Sequence, residues 1–278
     1  MPPPRVCPLE KFAFFFDLDG TLAPIAATPD AAAIPPHTLD LLKRLYDACA
    51  GAVAIVSGRT AERIDAMTSP FRWPLAGLHG AQWRGSDGTL DEPFVPVEPV
   101  AALHRALVRL ATRHPGSLVE HKRFSVAIHF RTAPEHETAI LAATQELAAE
   151  FADVFTLQPG KMVVEFKPKG ANKGEALERF LRDPVFAGRT PVMAGDDDTD
   201  ECAFGVTNRL QGISIRIGPG PTKARYCLGS PQALARWLNA VLDAGEAGPH
   251  DQAAVRHNHG SWTDSASVGS CPADQLGG

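Results

Sequence analysis

No apolar run in this 278-residue chain approaches the roughly 20 residues that a helix needs to cross a bilayer. The opening Met1-Pro2-Pro3-Pro4-Arg5 lacks the continuous apolar segment of a secretory signal, so a cytoplasmic location is expected. Positive charge is also in deficit: 27 Lys and Arg face 32 Asp and Glu, for a net charge of -5. A basic field of the kind that nucleic acid or an anionic membrane requires is therefore excluded, and neither partner is expected. Cysteine is sparse. Cys7, Cys49, Cys202, Cys227 and Cys271 are scattered, with no Cys-x-x-Cys or Cys/His metal spacing, and all five are expected to be reduced.

What the chain does have is alternation of strand-like and helix-like segments. Phe12-Ala13-Phe14-Phe15-Phe16 is apolar on both faces, as a central strand covered by helices on each side must be. Leu39, Leu42, Leu45 and Cys49 recur at helical spacing, and a second apolar strand, 52–56, follows directly. The pattern returns late, with a helix over 173–181, a strand over 191–194, a helix after Thr199, a strand over 213–217 and a last helix carrying Leu234, Trp237, Leu238, Val241 and Leu242. This predicts an α/β fold with a doubly wound parallel sheet, whose ligands bind beyond the carboxyl ends of the strands. Between the halves the periodicity changes to two helices, each followed by a pair of strand-like runs, with Pro159-Gly160 as a turn between the last two. An inserted αββαββ domain held over the main sheet like a lid is expected. The divisions fall at 1–79 and 167–244 for the core, 80–166 for the insertion, and 245–278 for a tail too poor in periodic apolar residues to be ordered.

The chemistry-bearing residues sit at the ends of these strands. Asp17-Leu18-Asp19-Gly20-Thr21 follows the first strand and places two carboxylates two positions apart, with a glycine to let the chain turn. Asp17 can attack phosphorus as a nucleophile; Asp19 can protonate the leaving oxygen and then deprotonate water. Gly195-Asp196-Asp197-Asp198-Thr199-Asp200-Glu201 follows the strand ending at Ala194, and so many acids in one turn repel unless a cation sits among them. Oxygen ligands in that number imply Mg²⁺, for which Asp17, Asp19 and Asp196 suffice, with Asp197 and Asp200 around them. Ser57-Gly58-Arg59 follows the second strand and opens a helix, where a hydroxyl and backbone N–H groups can hold phosphate oxygens. Lys173 opens another helix and supplies the fixed positive charge of phosphoryl transfer. Singly, an Asp-x-Asp-Gly turn, an acidic run or a helix-start lysine is commonplace. Together, each after a strand or at a helix start, they point to a phosphatase acting on a phosphate monoester.

These segments resemble the four motifs of the haloacid dehalogenase superfamily, and the insertion is similar to its C2 type of cap. More narrowly, 16–22, 56–59, Gly77-Leu78-His79-Gly80, Glu165-Phe166-Lys167-Pro168-Lys169-Gly170 with Lys173-Gly174, and 195–201 resemble the trehalose-6-phosphate phosphatases. The resemblance covers about 12–242 and implies a Mg²⁺-dependent enzyme of trehalose biosynthesis. Its small-molecule substrate would be a sugar phosphate, hydrolysed through an aspartyl-phosphate, with a functional link to a trehalose-6-phosphate synthase. It also implies sugar contacts from Glu120-His121-Lys122 and Glu165. On position alone, Glu120 and Lys122 near a hairpin tip are commonly just solvated, while Glu165 points away from the apolar face of its strand. His129 and Arg131 share a polar face with it. Phosphatases of other sugar phosphates, such as sucrose phosphate or mannosylglycerate phosphate, and a phosphoacceptor signalling domain remain alternatives. Asp19 and the large insertion argue against the last.

Overall fold

A computed structural model describes residues 1–26, 28, 31–92, 97–121, 124–160, 162–246 and 270–271. It divides into two compact units, one formed by Met1–Asp91 with the chain from Asn172 onward, the other by Glu92–Ala171.

The first unit is built on β1 (Phe12–Phe16), α1 (Pro36–Ala48), β2 (Val53–Val56), α2 (Ala61–Thr68), β3 (Leu75–Gly77), β4 (Gln82–Arg84) and β5 (Leu90–Asp91). The second unit contributes α3 (Val97–Arg113), β6 (Leu118–His121), β7 (Val126–His129), α4 (Glu137–Glu150), β8 (Phe155–Gly160) and β9 (Val163–Pro168). The chain then returns to the first unit with α5 (Lys173–Phe180), β10 (Thr190–Gly195), α6 (Glu201–Arg209), β11 (Ile213–Ile217), β12 (Gly220–Pro221), β13 (Tyr226–Leu228) and α7 (Pro231–Glu246).

The main sheet has the order β13-β11-β10-β1-β2-β3-β4-β5. It is parallel from β13 to β3, and the pairs β3/β4 and β4/β5 are antiparallel. β1 is covered on both sides, as its sequence requires: Phe14 and Phe16 stack on one face, while Phe15 packs against Phe180 and Phe186 on the other. Removing such a ring would cost about 3–5 kcal/mol. The strand order reverses between β1 and β10, so the crevice of this sheet opens at their carboxyl ends.

In the second unit the antiparallel sheet β6-β7-β9-β8 buries Val126, Ile128, Val164 and Phe166 among the α3 residues Val100, Leu103, Leu107 and Leu110 and Ile140 of α4. The αββαββ order is therefore the one expected. Its start is not: the units divide after Asp91, where the sequence suggested 79, because the short runs of β4 and β5 extend the main sheet. Pro159-Gly160 is also not a turn. Both residues end β8, paired with Val164 and Val163, and the reversal comes at Met162, whose φ is 62°. Proline is tolerated there because β8 is an edge strand. Cys7, Cys49 and Cys202 are free, but Cys227 is disulfide-bonded, contrary to the expectation for all five. The tail beyond 246 lies, except for 270–271, outside the described residues. Among the described residues no helix is long and apolar enough to cross a membrane.

Candidate active site

Three neighbouring strands deliver the predicted residues to one edge of the main sheet. Asp17 follows β1, Ser57 follows β2 and Asp196 follows β10. Phe16 sits opposite both Ala194 and Ile55 in the ladder, so the three strand ends are level. The Asp17 N–H donates to the Ala194 carbonyl at 2.9 Å, continuing the ladder past the last residue of β1. Gly20, with φ of 77°, is required by more than its turn: a Cβ there would fall inside the Asp196 carboxylate. Thr21 donates to Asp196 Oδ1 at 3.2 Å and so ties the first motif to the last.

Lys173 is the first residue of α5, which is capped by the Asn172 side chain accepting from Glu175 N–H at 2.9 Å. The cap directs the chain so that Lys173 is buried and its Nζ donates to Asp17 Oδ1 and to Asp200 Oδ1, each at 2.7 Å. The other oxygen of Asp200 accepts from the backbone N–H groups of Asp196 and Asp197, at 3.1 and 3.0 Å. Asp200 thereby shapes the acidic loop, and Gly195 must be glycine because a Cβ would overlap the Asp200 side chain.

Burial pushes the Asp17 carboxyl well above its ordinary range; Lys173 opposes the rise, and Asp200 and Asp196 add to it. Asp196 is raised by burial and by Asp200. Burial works against the Lys173 charge too, yet Asp17 and Asp200 outweigh it and hold the ammonium protonated above its ordinary value. Oxygens of Asp17, Asp196 and Asp200 lie within 4.8 Å of one another. Three carboxylates thus converge on one ammonium, and an all-oxygen donor set with uncompensated negative charge fits a small divalent cation. Both Asp200 oxygens are committed, to Lys173 and to the loop N–H groups, so within this trio Asp17 and Asp196 are the carboxylates that could hold it.

Asp19 stands apart from that cluster. Arg59 donates to both of its oxygens, from Nε to Oδ2 at 2.6 Å and from Nη2 to Oδ1 at 2.8 Å. Ser57 Oγ accepts from Arg59 N–H at 3.3 Å, which folds the Ser57-Gly58-Arg59 loop tightly. That loop does not itself open the helix, as α2 begins at Ala61 behind the Thr60 cap.

In the second unit Glu120, Ala127, Glu165 and Gln158 form one row across all four strands, on the sheet face opposite the apolar one. His129 Nε2 and Glu120 Oε2 are 2.9 Å apart, Ser125 donates to Glu165 at 2.7 Å, and Lys167 donates to Gln158 at 2.6 Å.

The trehalose-phosphatase family model matches residues 15–232. The chain belongs to the trehalose-phosphatase family. It is 41% identical over 234 residues to a trehalose-6-phosphate phosphatase of Escherichia coli, covering 84% of this chain and 88% of that one. A probable trehalose-phosphate phosphatase of Sinorhizobium fredii is 41% identical over 237 residues, covering 85% and 88%. The solved trehalose-6-phosphate phosphatase of Aspergillus fumigatus superposes with a TM-score of 0.69 at 26% identity, covering 84% of this chain and 93% of that one.

Within this family member, Asp17, Lys173, Asp196 and Asp200 come together, Ser57 follows the neighbouring strand, and Glu120 and Glu165 share a row in the second unit. Lys122 lies outside the described residues. The Asp19 carboxylate is bonded by Arg59 through both of its oxygens. Thr21, Ser125, Gln158 and Lys167 went unassigned from sequence. Lys167 had a readable signal, because it shares the parity of Glu165 along β9.

Proposed function

We propose that this trehalose-phosphatase family member hydrolyses trehalose 6-phosphate to trehalose and phosphate through an aspartyl-phosphate on Asp17. The observation that supports the mechanism is the buried bond from Lys173 to Asp17 Oδ1, which fixes the carboxylate at the end of its strand. As the new Asp17–phosphorus bond forms and the phosphorus–sugar oxygen bond breaks, Asp19 gives its proton to the departing sugar oxygen. In the second step a water attacks phosphorus, its proton passes to Asp19, and the Asp17–phosphorus bond breaks to release phosphate. Ser57, Gly58 and Arg59 hold the phosphoryl oxygens. Arg59 bonds both oxygens of Asp19 and so orients that carboxylate beside the phosphate loop. Asp17, Asp19 and Asp196 would hold Mg²⁺, with Asp197 and Asp200 around them, and the cation would supply positive charge to the transferring group. Asp200 keeps Lys173 and the acidic loop in place. Glu120, Lys122 and Glu165 contact the sugar. The enzyme acts in the cytoplasm and receives its substrate from a trehalose-6-phosphate synthase.

Phosphate release from trehalose 6-phosphate, with glucose 6-phosphate and sucrose 6-phosphate alongside, tests this reading. A clear preference for trehalose 6-phosphate supports it, and equal or faster release from either of the others overturns it.

A further inference from the structure

After β3 the chain makes a costly turn. Leu78 and His79, neither of them glycine, both take left-handed backbone angles, with φ of 49° and 59°, and Gly80 follows with φ of 106°. Strain of this kind persists only where surrounding contacts impose it, and it gathers at functional sites. Here the contacts are with the loop that follows β2. Leu78 N–H donates to the Arg59 carbonyl at 2.8 Å, and His79 N–H donates to the Ser57 carbonyl at 2.9 Å, one on each side of Gly58. The imidazole lies directly on Gly58, where an added Cβ would sit 2.7 Å from both Cε1 and Nε2. On its other side the turn meets the helix that carries Lys173: a Cβ on Gly80 would sit 3.1 Å from the Asn172 carbonyl oxygen and from the Ala176 Cβ.

From this we infer that His79 is a positioning residue of the active site. Its ring presses on Gly58 and fixes the Ser57-Gly58-Arg59 loop, so that the loop's hydroxyl and N–H groups keep their aim at the phosphoryl oxygens. The inference rests on the assignment of that loop to phosphate binding. It explains why the left-handed pair is kept where glycine would relieve the strain: glycine would supply the backbone shape without the ring.

The test uses His79→Gly and His79→Asn, both of which accept left-handed angles, with Ser57→Ala as a reference. Each is measured for thermal stability, for kcat and KM on trehalose 6-phosphate and p-nitrophenyl phosphate, and for inhibition by inorganic phosphate. His79→Gly is expected to melt no lower than the wild type. It should lose about a hundredfold in kcat/KM on both substrates, since displacement of positioned groups by about 1 Å costs that much. Inhibition by phosphate should weaken in parallel, and added imidazole should restore part of the loss. Gly58→Ala, harmful alone, should add little in the His79→Gly background, because the two changes act on one contact. Activity of His79→Gly within about twofold of wild type, or a large loss with unaltered phosphate inhibition, would overturn the inference. If Ser57→Ala leaves both activity and phosphate inhibition unchanged, the phosphate-loop assignment itself is wrong; if only the His79 variants are silent, that assignment stands and the positioning role falls.

Discussion

Replacing Lys173 with methionine removes one ammonium and leaves Asp17 and Asp200 buried with the oxygens that faced it unpaired. Both bonds are 2.7 Å long, and the side chains are 3%, 7% and 0% exposed for Lys173, Asp17 and Asp200. Water therefore cannot enter to solvate the stranded charges without opening the site. Deleting one member of a buried ion pair costs about 3–5 kcal/mol, so Lys173→Met should lower the melting temperature by about 10 °C in a chain of this size. Calorimetry in excess chelator is the assay, because a divalent cation binding the same carboxylates would offset part of the loss by mass action. The double variant Lys173→Met/Asp200→Asn should regain much of the stability, since an asparagine oxygen can still accept from the Asp196 and Asp197 N–H groups while one charge is gone. It should not regain activity. A metal-free Lys173→Met protein that melts with the wild type, or a double variant less stable than the single one, would refute the argument that these charges hold one another in place.

Asp17→Asn should abolish steady-state turnover while leaving the circular dichroism spectrum unchanged, because the amide is isosteric but a very poor nucleophile; measurable turnover by the pure variant would rule out the covalent route. Excess EDTA should stop phosphate release and added Mg²⁺ should restore it, and full activity in EDTA would sink the metal assignment. Asp183 tests the pH dependence of stability. Burial tends to raise its carboxyl, but bonds from Ser86 N–H, the Ser86 hydroxyl and Val185 N–H outweigh this and hold it below the ordinary value. Its stabilisation is therefore present above the ordinary aspartate range and is lost as pH falls through the lowered folded value. Asp183→Asn should cost about 2 kcal/mol near neutrality, and the gap to wild type should close in acid; a gap independent of pH would contradict the sign. Glu120→Ala and Glu165→Ala should lose much of their kcat/KM on trehalose 6-phosphate and little on p-nitrophenyl phosphate, and equal losses on both would show damage elsewhere.

Where the sequence was legible, one strong local signal was at work. The Phe12–Phe16 run could only be a central strand, and Asp17 at its end could only face the crevice. The short strands β4 and β5 carried no such signal. They have three and two residues, and their place in the main sheet comes from Leu75 pairing with Arg84 and from a bidentate bond that the buried Arg84 donates to Asp65, neither of which is a local pattern. Pro159-Gly160 misled for the opposite reason: a strong local preference for turning yielded to the register of β9. The Arg59–Asp19 pair was invisible because it joins residues 40 positions apart that each had a plausible partner elsewhere.

These misses share a cause that bears on how the site works. Motif spacing reports which residues arrive at the strand ends, because backbone direction there is set by the ladder. It does not report which partner each side chain takes, because that depends on the competition among neighbours for a limited set of charges. Lys173 illustrates the point. Its position at the head of α5 was readable, but its division between Asp17 and Asp200 was not. With Arg59 on Asp19 and Lys173 shared, Asp17, Asp19 and Asp200 are each held by a cation. The charges that hold these side chains in place are thus the same ones on which the proposed reaction draws.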